Sequence, residues 1–158
     1  MAMFDLAIPT ILRREGGYSK DLSDPGGETN FGISKRSYPD VDIRALTAAT
    51  ASAIYKRDWW DRHDYGAIIP QAVATKMLDC AVNLGAERAH KIFQQAVGVT
   101  QDGVLGPATL SELNTMSSLK VIVAVQDIQA AYYRALVAAN PALQRFLSGW
   151  LARAYDRN

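Results

Sequence analysis

Glycine and proline cut this chain into pieces of helix length, and between the cuts apolar residues recur every three or four positions. Phe4, Ile8, Ile11 and Leu12 share one helical face, with Asp5 as the expected cap, and Gly16-Gly17 ends the run. Thr47 is placed to cap a helix reaching about Trp60, and Pro70 to open one that stops at Gly85. A further helix, from Ala86 to Val97, stops at Gly98, and Gly106-Pro107 marks a restart. Ser118 begins a long helix that aligns Val121, Val125, Ile128, Tyr132 and Leu136. Beyond Asn140-Pro141 an apolar stripe runs through Leu143, Phe146, Leu147, Trp150, Leu151 and Ala154. Residues 18–33 resist this pattern. Too rich in Gly, Asp and Ser for a helix, they predict a loop or small β-hairpin. The fold class that follows is mainly α, a helical bundle with one short irregular or β element.

That irregular stretch follows directly on Glu15, a carboxyl at the end of an apolar helix, and carries Asp21 and Asp24 among its glycines. A carboxyl shielded by apolar neighbours, here expected to be Ile11, Leu12 and Tyr18, holds a proton that a carboxyl in a polar loop gives up, because burial disfavours charge. Two carboxyls in unlike settings are what glycosidic hydrolysis requires. Asp24 is the better second carboxyl and Asp21 the reserve. The competing reading of Asp24 is a turn residue before Pro25.

The run Arg14-Glu15-Gly16-Gly17-Tyr18, followed by Asp24-Pro25-Gly26-Gly27-Glu28-Thr29-Asn30-Phe31-Gly32-Ile33-Ser34, closely resembles the signature of glycoside hydrolase family 108. The resemblance continues through Ile54 to Arg62 and through Asp79-Cys80-Ala81-Val82-Asn83-Leu84-Gly85. Val97 to Leu110 resembles the predicted peptidoglycan-binding region that follows the catalytic part in that family. Its members are N-acetylmuramidases, found as phage endolysins and as bacterial muramidases linked to protein secretion. The resemblance implies a lysozyme-like α+β fold, with a catalytic part over residues 1–92 and a helical peptidoglycan-binding part over 93–158, packed as one body. It implies a bacteriolytic peptidoglycan hydrolase that cleaves the β-1,4 bond between N-acetylmuramic acid and N-acetylglucosamine. Glu15 is then the general acid, and Asp24 with Thr29 holds or activates water, as in phage-type lysozymes. Thr29 follows Asp24 one position earlier than in that pattern.

For substrate contacts, Tyr18 and one of Trp59 and Trp60, here Trp60, offer flat faces to sugar rings, while Gly27 and Asn30 lie in the signature loop. Asp79 and Asn83, one turn apart on a helix, are set to bond N-acetyl or hydroxyl groups, or else to join helices. Two alternatives remain beside hydrolysis. One is a lytic transglycosylase, in which the sugar's own hydroxyl displaces the bond and leaves a 1,6-anhydro end. The other is a silent peptidoglycan-binding or secretion-accessory protein.

Composition narrows the partners. A net charge of +1 over 158 residues argues against nucleic acid, although the stretch from Lys120 onward is basic, with five Lys/Arg against Asp127 and Asp156. Two histidines without ligand spacing, His63 and His90, predict no metal or other cofactor, and the single Cys80 falls in a helical pattern that buries it. No stretch is apolar enough to span a bilayer, and the N-terminus lacks the pattern of an export signal. The chain is thus expected to be a monomer made in the cytoplasm. It would reach the wall in the periplasm with the help of a holin or a secretion apparatus.

Overall fold

The computed structural model describes residues 1–20 and 27–156, so Asp21, Asp24, Pro25 and Gly26 lie outside the described residues. Helix α1 (Phe4–Glu15) turns Phe4, Ala7, Ile8 and Ile11 inward. Its N-cap is Met3 rather than Asp5. Gln71 accepts the Met3 N–H at 2.8 Å and donates to the Met3 carbonyl at 3.0 Å, so a distant amide fixes the residue before the helix while no side chain caps its first turn. Asp5 stays in the first turn, where its charge meets the positive end of the helix dipole. Pro9 sits inside the helix on its exposed side, where the carbonyl that loses its partner is not walled off by the core.

Three short strands follow, β1 (Ser19–Lys20), β2 (Glu28–Asn30) and β3 (Ile33–Ser34), antiparallel in the order β1-β2-β3. Asn30 pairs with Ile33, and the two residues between them, Phe31 and Gly32, have φ of 51° and 75°. Positive φ at both central positions is the signature of a type I′ hairpin, whose twist matches the strands it joins.

Helix α2 (Ala48–Tyr55) begins at Thr47 in a capping box, with the Thr47 and Thr50 side chains each bonding the other's backbone N–H. It then widens into a π-helix over Lys56–Asp61 instead of running as α-helix to Trp60. Helix α3 (Gln71–Leu84) is buried at every position from Val73 to Ala81, and so forms the centre of the molecule. Gly85, with φ of 84°, turns the chain into α4 (Ala86–Val97), and Pro107 opens α5 (Pro107–Thr115). Helix α6 (Ser118–Ala139), a 3₁₀ turn over Pro141–Phe146 and α7 (Leu147–Tyr155) complete the chain. Helices α1, α4 and α6 pack on α3, and α7 lies along α6. One apolar cluster joins Ile11, Met77, Phe93 and Val125 across α1, α3, α4 and α6. The fold is mainly helical, with one small sheet. Among the described residues no helix is long and apolar enough to cross a membrane.

Candidate active site

Glu15 is the last residue of α1, and its side chain is 18% exposed. Two groups bound its carboxyl. Oε1 accepts a hydrogen bond from Arg153 Nη2 at 2.7 Å. The other is Gly32, where a Cβ would sit 2.7 Å from Glu15 Oε2 and 2.7 Å from the Tyr55 hydroxyl. Only glycine lets the β2–β3 turn approach the carboxyl this closely while holding a positive φ. Tyr55 donates to the Phe31 carbonyl at 2.8 Å, which ties the turn to α2. Burial, and then the charge of Glu15, push the Tyr55 phenol up, so it serves as a neutral donor.

Glu15, Gly32 and Tyr55 open onto a cavity of about 270 Å³. Ser34, Ser37 and Tyr38 bring hydroxyls to its wall, while Trp59 and Val82 bring apolar surface. Tyr38 donates to Asp58 at 2.9 Å, and burial together with that bond pushes its phenol up to about 12. Among the described residues, a wall of hydroxyls and the Trp59 indole beside the Glu15 carboxyl suits a sugar, which offers both polar edges and apolar ring faces.

Behind Glu15 runs an ionic cluster. Asp79, fully buried on α3, accepts from Arg153 Nε at 3.2 Å and Nη2 at 2.9 Å, and its other oxygen lies 2.5 Å from Arg14 Nη1. Arg14 also donates to Asp156. Lys76 Nζ, one turn before Asp79, is 4.0 Å from it. Burial opposes the charge of both arginines, but Asp79, with Glu15 for Arg153 and Asp156 for Arg14, outweighs it and raises their pKa values.

Against the sequence expectations, Glu15 faces a guanidinium and a phenol rather than a purely apolar shield. Asp79 is consumed by the two arginines and does not reach the cleft floor. Asn83 donates to the Tyr133 hydroxyl and so joins α3 to α6, the helix-joining role that the sequence offered as the alternative for it and Asp79. Asn30 is buried and donates to the carbonyls of Ile43 and Leu46, pinning the segment that follows the sheet. Trp60 is 5% exposed and packs edge-on to Phe4 and Tyr65 in the core, while its neighbour Trp59 lines the cavity. Thr29 is half-buried in β2, and Gly27 enters that strand with φ of 70°. Tyr18 bonds Glu28, accepts from Arg44 Nε at 2.9 Å and has Arg44 over one ring face. Asp24 and Asp21 lie outside the described residues.

Sequence reasoning missed Tyr55 and Arg153. Arg153 looked like part of a basic tail. Its place three residues after Trp150, beside the apolar stripe, was the available sign that it points inward. Cys80 is fully buried, and burial pushes its thiol up to about 12, so it is inert. The Asp102–Pro107 loop is bound to α4: Gln94 donates to Asp102 and to the Val104 carbonyl and accepts the Gly103 N–H. His90 Nδ1 must donate to the Gly103 carbonyl, 2.8 Å away, so its Nε2 accepts from Tyr65. Among the described residues no cluster of three or more His, Cys, Asp or Glu is set to hold a metal ion.

Comparison with known proteins divides the chain at the Gly85 turn. Residues 8–85 match the family model described as Glycosyl hydrolase 108, and residues 88–155 the one described as Predicted Peptidoglycan domain. No curated protein matches significantly. Among solved structures, that of Brucella abortus SagA is similar over 97% of this chain and 96% of its own, with 30% sequence identity and a TM-score of 0.71.

Proposed function

Since this chain belongs to the glycosyl hydrolase 108 family, we propose that it cleaves the β-1,4 bond between N-acetylmuramic acid and N-acetylglucosamine in peptidoglycan, with Glu15 as general acid. The observation that carries this reading is the placement of a mostly buried carboxyl, held by Arg153 and Gly32, on the wall of a cavity fit for a sugar. Because Oε1 accepts from Arg153, the proton of the neutral acid sits on Oε2, the oxygen beside Gly32 and Tyr55. In the reaction that proton passes to the glycosidic oxygen as its bond to C1 breaks and the sugar gains oxocarbenium character. Water then bonds to C1 and gives its proton to a second carboxylate, the role that the likeness to phage-type lysozymes implies for Asp24 with Thr29. The outcome in the cell is lysis, by an endolysin-type enzyme made in the cytoplasm that meets its substrate in the periplasm.

Digestion of purified peptidoglycan with mass spectrometry of the products tests this directly. Muropeptides ending in reducing N-acetylmuramic acid are expected. Products ending in 1,6-anhydro sugar would replace hydrolysis by the transglycosylase reading, and intact glycan would leave a binding or accessory role.

A further inference from the structure

We propose that Arg153 is the positioning residue of the catalytic acid, and that the region matched as a peptidoglycan domain is thereby a working part of the active site and not a separable wall-binding module. The proposal rests on the reading of Glu15 given above. Its ground is the way α3 grips one residue of α7 at both ends. Lys76, whose side chain is 1% exposed, donates to the carbonyls of Arg153 at 3.2 Å and Ala154 at 2.8 Å. Asp79, three residues on, takes the guanidinium. Gln126 donates to the Tyr155 carbonyl at 3.2 Å, so the last turn of α7 is capped from two helices. With its backbone and its fork both fixed, Arg153 has one free direction for Nη2, and that direction ends on Glu15 Oε1.

Lys76, Asp79 and Glu15 lie within residues 8–85, whereas Arg153 lies within 88–155. A catalytic carboxyl held from the second region cannot keep its geometry without it. The charges add a second effect. Among the described residues Glu15, Asp79 and Asp156 face Arg14, Arg153 and Lys76, so a proton on Glu15 adds one positive charge beside two guanidinium groups. Delivering the proton to the leaving oxygen removes that charge, and Arg153, in contact with the carboxylate that results, stabilises the product of that step.

The test uses the full chain. Turnover of soluble glycan fragments is measured for the wild type, Glu15→Gln, Arg153→Met and Arg153→Lys, each checked by its denaturant midpoint. Arg153→Met is expected to lower kcat by about 10²-fold, the usual cost of misplacing a reacting group by about 1 Å, with little change in KM. Arg153→Lys should recover part of the loss, since an ammonium can still meet a carboxylate although it cannot fork between two. Added guanidinium ion should raise kcat of Arg153→Met and leave Glu15→Gln unchanged. Wild-type kcat in folded Arg153→Met would overturn the proposal, as would a loss that neither lysine nor guanidinium relieves and that tracks the denaturant midpoint. Full activity in Glu15→Gln would instead remove the reading on which the proposal rests.

Discussion

Gly32→Ala puts a methyl group into the contact that holds Glu15, and the structure sets the size of the effect. The added Cβ would lie 2.7 Å from Glu15 Oε2, 2.7 Å from the Tyr55 hydroxyl and 2.9 Å from Glu15 Cβ. Ordinary contact begins at 3.4 Å, so the carboxyl oxygen must retreat by about 0.7 Å. The φ of 75° adds left-handed strain of about 1–2 kcal/mol, and overpacking adds about 1–3 kcal/mol. A stiffer unfolded chain returns up to about 1 kcal/mol. The variant should therefore fold with a lowered denaturant midpoint, and its lysis rate should fall by an amount approaching about 10²-fold, because the acid has moved by most of an ångström. Gly98→Ala is the control. Its φ is also 75°, and nothing lies within 4 Å of the new Cβ, so it bears the strain without the collision. Turbidity clearance of cell walls and urea denaturation of both variants decide the matter. Wild-type lysis by folded Gly32→Ala, or an equal loss in Gly98→Ala, would show that the Gly32 contact does not position the acid.

The adjacent tryptophans should separate: Trp60→Ala loses about 3–5 kcal/mol of stability as a truncated core aromatic, whereas Trp59→Ala, partly buried against the same core, loses less and binds glycan fragments more weakly. Equal stability losses in the two would refute the assignment of Trp59 to the cavity wall. Burial, despite its bond to Gly103, holds the pKa of His90 below the ordinary histidine value, and burial with the neighbouring His90 does the same for His63. Their neutral forms then contribute stability that is complete above about pH 6.5 and is lost as pH falls toward the folded-state values. Denaturant midpoints should drop on acidification over that window, and His90→Gln should flatten the slope; an unchanged slope would place the acid sensitivity elsewhere. Asp24→Asn should keep the fold and abolish most hydrolysis, and wild-type turnover in that variant would leave Asp24 a turn residue.

The helix ends were legible because their determinants are local. Thr47 with Thr50, Gly85, Gly98 and Gly106-Pro107 act through their own backbone and neighbours within one turn, and each bounds a helix where the sequence places it. The start of α1 was not legible, since its N-terminus is held by Gln71 and not by Asp5. The site divides in the same way. Glu15 at a helix end before two glycines was visible in the sequence, but its partner Arg153 lies 138 residues away, and Asp79 gave no sign of which arginines it would meet. Trp59 and Trp60 are indistinguishable by type. Which indole faces the cavity is read from distant contacts, Trp60 packing on Phe4 and Tyr65 within a π-helix that their sequence does not announce.

The claim that Glu15 delivers the proton is tested most directly by Glu15→Gln acting on purified peptidoglycan. The amide preserves the shape of the carboxyl and can still accept from Arg153, but it has no acidic proton to give. Removing an essential general acid is expected to reduce the release of reducing muropeptides by about 10²–10⁴-fold, with the denaturant midpoint showing an intact fold. Release at the wild-type rate by the folded variant would contradict the account.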